Sequence, residues 1–558
     1  MRRSRVRFPP RAPPAIEPRR TLHTLSDMES NKPVRLLSLK IGGDEQSRGV
    51  IARLRDLVPG IWVGGVEDCL KFDSCESAFD EVITNHYDAY LGTYARIKLP
   101  QISITPELYQ LVAPFEGQCM SMFERLVYHD PFRYPKHING LPPFDGSYES
   151  RAELFMRHCR FWNYIYDTKK INAVISQNFG HQGYDFVALS LARAKGIPTL
   201  IFNETGQFPG VQFIQEDVSL LGDLALGAQI KRRISSLMTK ESEGFIRNSF
   251  KWIPASPDRF ELNTISEYVT SPVTSWLVNS NVYDTQSLNS RKVLQQIVGK
   301  AQRFMRNPYR SLSGAHRTRQ RIKGTRLSMS EERAHSSTAD TTMPFIYFPL
   351  HFQPEATTSA KGRHFYRLRE AVAFLASELP QGWTLIVKEH PHQWRRLLPR
   401  PTGFYQQLAE IPNVQLIHHS EDNNRLVAAA QAVACVSHSS ITAHAFSTGT
   451  PVISLGHSHF KSAHGYYCVD SQVSLQLAVR DIAEHKIRPS AKDVESFIAS
   501  LELSTFEGLL GYRPASMAEG NYNELISRTC QNISYVIAEW LLLRGLSTSA
   551  RPLHTSIE

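Results

Sequence analysis

Two periods of apolar residues run through the chain, and from position 343 they alternate regularly. "FIYFPLHF" is a strand-length run, after which Phe365, Leu368, Val372, Leu375 and Leu379 recur at spacings of 3, 4, 3 and 4 and trace a helix face. "TLIVKEH" predicts the next strand. A helix near 402–410, the strand "VQLIHH", a helix over "NNRLVAAAQ", the strand "AVACVS", a helix over "SSITAHAFSTG" and the strand "PVISLG" follow. Strands alternating with helices predict a doubly wound parallel sheet, so residues 343–485 are expected to form a Rossmann-like domain.

The N-terminal part, 28–285, mixes strand-like and helical stretches. Its clearest unit is "INAVISQNFGHQGYDFVALSLARAKGIPTLIFNETG": "AVISQN" reads as a strand, Tyr184, Val187, Ala188, Leu191 and Lys195 trace a helix, Gly196 ends it and Pro198 leads into "TLIFN". This βαβ unit presents Gln177 and Asn178 at one strand end and Asn203 and Glu204 at the next. Residues 213 to about 285 read as a helical extension. Residues 286–342 turn basic and Ser/Thr-rich and read as an interdomain linker with a helix in its first half. Residues 486–558 read as C-terminal helices and a tail, the helices packing back across both domains. The fold class expected is therefore α/β, two Rossmann-like domains facing a cleft, with a helical C-terminal segment.

Charge sharpens this division. The net charge of +10 is concentrated in residues 1–20, with seven arginines against Glu17, and in 286–340, with twelve Lys/Arg against Glu331, Glu332 and Asp340. The remainder is mildly acidic. Basic segments of this kind lie solvated or touch anionic lipid headgroups more readily than they read a base sequence, so peripheral membrane contact is expected and nucleic acid is not. Residues 1–27 read as a disordered basic tail, Met28 being the more natural start. Seven scattered cysteines without CxxC spacing indicate neither a zinc site nor a disulfide framework and fit a reducing cytoplasm. No apolar stretch approaches the ~18 residues of a membrane span, and the first twenty residues have no signal-peptide core. The expected location is the cytoplasm, including the inner face of the membrane.

Ligands of open α/β sheets bind beyond the carboxyl ends of the strands, which makes three polar loops the candidate site. One is "HFQPEATTSAKG", offering Gln353, Glu355, Thr357 and Thr358. In "KEHP", Lys388, Glu389 and His390 end a buried strand and Pro391 stops it. The third, "VSHSSITAHAFSTG", sets Ser437, Ser439 and Ser440 where a strand turns into a helix, whose N-terminal N–H groups suit a phosphate; Gly449 lets that helix close. There is no GxxxxGKS/T loop, no GxGxxG, no DxD and no HExxH arrangement among His390, His392, His438 and His444. A metal-free, cofactor-free site would draw its charge compensation from helix N-termini, Lys388 and His390.

The segments "YFPLHFQPEATTS", "LPQGWTLIVKEHP", "IPNVQLIH" and "STGTPVISLG", in this order, resemble the bacterial capsular polysaccharide biosynthesis family, strongly over 345–470 and weakly over 170–217. The resemblance implies a GT-B glycosyltransferase taking a nucleotide-activated sugar, and a polysaccharide or glycolipid acceptor. In related transferases using CMP-sugars, including Kdo transferases and bacterial sialyltransferases, an HP motif and a serine motif hold the donor phosphate; His390 with Pro391, and Ser439 with Ser440, match them. "FNETGQFPG" is similar to an acidic motif of the acceptor domain, which makes Glu204 the catalytic candidate, although Asn203 stands where some relatives have another acid. Glu355 is the second carboxylate, and Gln177, Asn178, His181 and Gln353 are candidate sugar contacts. Two alternatives stay open: a CDP-glycerol-type polyol-phosphate transferase, and a non-catalytic polysaccharide assembly or export factor.

Overall fold

In a computed structural model of the chain, residues 33–44, 47–67, 77–94, 104–129, 147–180, 182–205, 208–238, 308–359, 361–395, 397–510 and 519–547 are described. Thirteen strands build two sheets. In chain order they are β1 (Arg35–Leu39), β2 (Trp62–Glu67), β3 (Glu81–Asn85), β4 (Ala173–Ser176), β5 (Thr199–Thr205), β6 (Phe208–Gln215), β7 (Phe345–Pro349), β8 (Thr384–Lys388), β9 (Val414–Ile417), β10 (Ala432–Cys435), β11 (Val452–Ser454), β12 (Tyr466–Cys468) and β13 (Phe506–Glu507).

The C-terminal sheet has the order β12-β11-β10-β7-β8-β9 and is parallel throughout. Its central strands are buried at all but one end residue of β7 and of β8, as apolar runs covered on both faces are. The N-terminal sheet has the order β13-β6-β5-β4-β1-β2-β3, parallel from β5 to β3 and antiparallel at β6 and β13. The two-Rossmann architecture expected from the sequence is thus present in the strand order itself.

Three expectations are corrected. Residues 213–215 do not begin a helical extension: "FPGVQFIQ" is β6, paired antiparallel with β5, and its glutamines are as buried as its apolar residues. The Gln212 side-chain NH2 donates to Glu204 (3.2 Å) and to the Gly508 carbonyl (2.9 Å), so both of its N–H groups are paired inside a strand that no apolar run announced. The rest of the expected helical extension over 239–285, the tail 1–27 and residues 286–307 lie outside the described residues.

Part of the segment expected to be a linker is instead built into the C-terminal domain, as helix Pro308–His335. Thr325, Ser328, Met329 and Glu332 form its buried face at helical spacing. Three of these four are polar, so no apolar period marked them. Glu331 accepts backbone N–H groups of Gly403 (3.0 Å) and Tyr405 (2.9 Å) at the start of the next helix, and Ser328 accepts from Arg400 (3.2 Å).

The C-terminal residues do return across the molecule. Helix Ala491–Glu502 packs through Phe497 on Phe446 of helix Ser440–Ser447, with ring centroids 5.7 Å apart. β13 then adds a strand to the N-terminal sheet where only helices were expected. The helix Glu519–Leu543 lies on helix Arg48–Leu57, its Ile533, Val536, Ile537, Trp540 and Leu541 in the core beneath β1, β4 and β5. Among the described residues no helix is long and apolar enough to cross a membrane.

Candidate functional site

β7, β8 and β10 end at one edge of the C-terminal sheet, and the loops that follow hold the predicted polar residues. At the exit of β8 those residues bind one another. Glu389, buried, takes both arms of the Arg400 guanidinium (2.8 Å each), the Tyr405 hydroxyl (2.8 Å) and the His390 N–H (2.6 Å). Arg400 also donates to Gln353 Oε1 (2.8 Å) and the His351 carbonyl (2.9 Å). Gln353 is occupied further, its amide donating to the Tyr366 carbonyl (2.6 Å) and its N–H to Gln393 (2.9 Å). The Glu389 carboxylate, accepting four hydrogen bonds, is taken up within the protein, whereas the Gln353 side-chain amide spends one of its two N–H groups and one of its two Oε1 lone pairs there. In this structure Glu389 and Gln353 support the β8 exit. Lys388 is also buried, and donates to the Glu421 carbonyl (2.7 Å) in the loop after β9.

His390 accepts the His392 N–H on Nδ1 (3.1 Å), which leaves Nε2–H to offer. Burial, then His392, His351, Arg400 and Lys388, push its pKa down to about 3. The imidazole is therefore neutral and supplies a hydrogen bond, not the positive charge the sequence reading assigned to it. Pro391 turns the chain into the short helix His392–Arg395, its carbonyl accepting Trp394 N–H (3.3 Å).

The serine segment divides its roles. Ser437 is buried and donates to the Thr357 carbonyl (2.7 Å), tying the β10 exit to the β7 loop. Ser439 is the N-cap of helix Ser440–Ser447, its N–H accepted by Thr442 Oγ1 (2.9 Å); Ser440 is exposed at the first turn. Gly449 takes the left-handed conformation (φ 83°) past the helix end, as its position predicted.

Beside this helix start lies a cluster the motifs did not mark. Lys361 is 4% exposed. Its ammonium stands 3.2 Å from His438 Nε2 and 4.2 Å from the centroid of the Phe179 ring, which comes from the SQNFG loop of the N-terminal half. Among the described residues it has no carboxylate within ion-pair distance; burial pushes its pKa down to about 7, against the pull of Glu355. The His438 and His459 rings are 4.6 Å apart, and His459 Nε2 lies 3.1 Å from the Asn203 amide of β5. Both histidines are driven well below their usual range by burial first, with Lys361 adding to it. Among the described residues, Nδ1 of each is buried without a hydrogen-bond partner. His351 is held neutral, near 4, by burial and Arg400, and its Nε2 accepts the Val436 N–H (3.0 Å). Next to them Arg363 Nε donates to His457 Nε2 (3.4 Å), with His457 pushed down to about 4 by burial and then by Arg363, Lys461, Arg193 and Lys361.

Close backbone packing makes this cluster. The Lys361 carbonyl accepts the His457 N–H (2.9 Å), and Gly362 and Gly456 leave the room: a Cβ on Gly456 would stand 2.4 Å from the Lys361 carbonyl oxygen. Ser121 and Ser359 hydroxyls, 3.0 Å apart, join the two halves on the same side.

Of the N-terminal candidates, Asn203 faces this cluster and Glu204 does not. Successive strand residues point to opposite faces, and Glu204 accepts the Gly210 N–H (2.9 Å) and the Gln212 amide within the β5–β6 hairpin. Burial raises its pKa, opposed by those two hydrogen bonds. In this structure Glu204 supports the hairpin. Asn178 accepts the Gly180 N–H in its own turn (3.0 Å), and Gln177 N–H donates to the Leu39 carbonyl (3.2 Å). His181 lies outside the described residues. Glu355 accepts the Thr357 hydroxyl (2.8 Å), and its carbonyl accepts the N–H groups of Thr358 and Ser359. Lys361, His351, His438, Arg363, His457 and His459 were missed because they are scattered over three loops. The signal available was "SAKG", a lysine before a glycine at a strand-end loop.

No family model and no curated protein matches the chain. Among solved structures it is similar to Thermosulfurimonas dismutans KpsC, a beta Kdo 2,7 transferase, with 11% identity and a TM-score of 0.27 over 66% of this chain and 88% of that one. It is similar to the Methanocaldococcus jannaschii UDP-GlcNAc 2-epimerase in complex with UDP-GlcNAc and UDP, with 9% identity and a TM-score of 0.23 over 84% of this chain and 99% of that one. The glycosyltransferase VinC in complex with dTDP gives 10% identity and a TM-score of 0.20 over 89% and 100%. The architecture rests on the strand order, not on these similarities.

Proposed function

We propose that the chain is a glycosyltransferase that draws its sugar from a nucleotide-activated donor, CMP-linked on the resemblance of its HP and serine motifs, for capsular or other surface polysaccharide. One observation carries the reading: a buried ammonium, Lys361, sits between the two sheets with imidazoles and an aromatic ring for company and no acid paired to it. A buried cation in that state is unfavourable unless an anion joins it. The donor phosphate is that anion, reached also by the N-terminus of helix Ser440–Ser447 and by His390 as a neutral donor.

In the reaction so read, an acceptor hydroxyl attacks the anomeric carbon and the bond from that carbon to the donor phosphate oxygen breaks, its electron pair leaving on the phosphate. Lys361 offsets the charge that develops there. The hydroxyl proton goes to Glu355, the carboxylate whose charge acts on Lys361; Glu204 is engaged in its hairpin. Incubation of the chain with a CMP-sugar or with CDP-glycerol, in the presence of a glycan acceptor, tests this through released CMP. Release from the CMP-sugar alone is expected. Release from CDP-glycerol alone would replace the reading with polyol-phosphate transfer, and failure of both donors to bind or react would leave a non-catalytic assembly factor.

A further inference from the structure

Glu332, His418 and His419 form a second cluster of ligand-forming side chains, apart from the phosphate site. Glu332 is the last buried residue of helix Pro308–His335, and the two histidines follow β9. One ligand atom from each residue lies within 4.8 Å of the other two. Glu332 Oε1 accepts the His419 backbone N–H (3.0 Å) and stands 3.4 Å from His419 Nδ1; Oε2 stands 4.0 Å from His418 Nε2.

The hydrogen bonding around these atoms is incomplete. Glu332 is 0% exposed, and among the described residues its Oε2 has no hydrogen-bond partner. A buried carboxylate oxygen left unpaired costs more than most single contacts return. His418 Nδ1 lies 2.6 Å from the Ser420 hydroxyl, and with Nδ1–H donating there, the Nε2 lone pair faces Glu332. His419 is held edge-on to Trp394, ring centroids 4.3 Å apart, so its orientation is fixed by packing. Two oriented imidazole nitrogens and an unpaired carboxylate oxygen around one point are a three-ligand set with a side open to solvent at His418, the outer hydroxyl of Ser420 playing the orienting part that a second layer supplies in metal sites.

We infer that Glu332, His418 and His419 bind a divalent transition metal of the zinc class, water completing the coordination. Imidazole and carboxylate donors suit zinc and its late first-row neighbours better than calcium or magnesium, which take oxygen ligands. Such an ion would fasten the end of the basic helix to the exit of β9, next to the isolated Ser337–Ile417 bridge. It would give the Glu332 carboxylate the cation it lacks. The inference stands independently of the donor reading above.

The test uses the untagged full chain, stripped with a chelator and desalted, and then titrated with zinc chloride. Calorimetry is expected to give one equivalent bound, with Tm raised as metal binds the folded form. With cobalt in place of zinc, the intensity of the d–d bands is expected to report four-coordination. His418→Asn, at the partly exposed ligand, is expected to fold normally and weaken zinc binding by more than about 100-fold. Glu332→Gln is expected to bind no metal. If that variant does not fold, the His418 variant alone decides. Zinc retained with unchanged affinity in His418→Asn, or less than a tenth of an equivalent bound by the parent chain, would overturn the inference.

Discussion

The exit of β8 and the loop around Lys361 are both polar, both buried and both at the carboxyl edge of the same sheet, yet they are finished to different degrees. At β8, Glu389 makes two bonds to Arg400, one to Tyr405 and one to a backbone amide, and Gln353 joins the same lattice. Around Lys361, among the described residues, an ammonium has no acid partner and two buried imidazoles each leave a nitrogen unused. A completed network holds a shape; an incomplete one is where a ligand supplies the missing partner. Sequence prominence ran the other way, because KEHP is the conspicuous motif and Lys361 the inconspicuous residue.

If the β8 lattice is a support, cutting it should damage stability first. Glu389→Ala leaves the Arg400 guanidinium buried without its carboxylate, and is expected to cost about 3–5 kcal/mol in urea unfolding. A loss below about 1 kcal/mol would mean that the lattice is not holding the strand end.

The Lys361 cluster should show itself through pH. Its folded pKa of about 7 lies below the ordinary lysine value, so between about pH 7 and 10.5 the unfolded chain binds the extra proton and the folded chain does not. Stability contributed at this position therefore rises with pH across that window. The parent chain is expected to gain on the order of 2–3 kcal/mol relative to Lys361→Met between pH 7 and 10, part of the full linkage being returned by water entry and relaxation. A pH-independent difference between the two chains would show that the ammonium is paired already.

Much of the fold was legible because its central strands are covered on both sides: "FIYFP", "TLIVK" and "AVAC" announce themselves by continuous apolar runs. The basic helix was not, since three of the four residues on its inward face, Thr325, Ser328, Met329 and Glu332, are polar and leave no apolar period. β13 escaped notice because two residues make no period. For the site, the sequence pointed to the loops after β7, β8 and β10, through the rule that ligands bind at strand ends, and the structure sets those loops along one edge of the sheet. What it could not assign was which members of those loops spend their hydrogen bonds on one another. Glu204 and Asn203 illustrate this: adjacent in sequence, they face opposite sides of β5, and only the asparagine meets the C-terminal half.

The most direct test of the central claim is calorimetric binding of CMP and UDP to the parent chain and to Lys361→Met, with cytidine and uridine as controls lacking the phosphate. A buried ammonium awaiting an anion predicts that one of the two nucleotides binds the parent, that its affinity falls about 10–100-fold in the variant, roughly 1.4–2.7 kcal/mol, and that its nucleoside is unaffected. Equal nucleotide affinity for both chains would contradict the account.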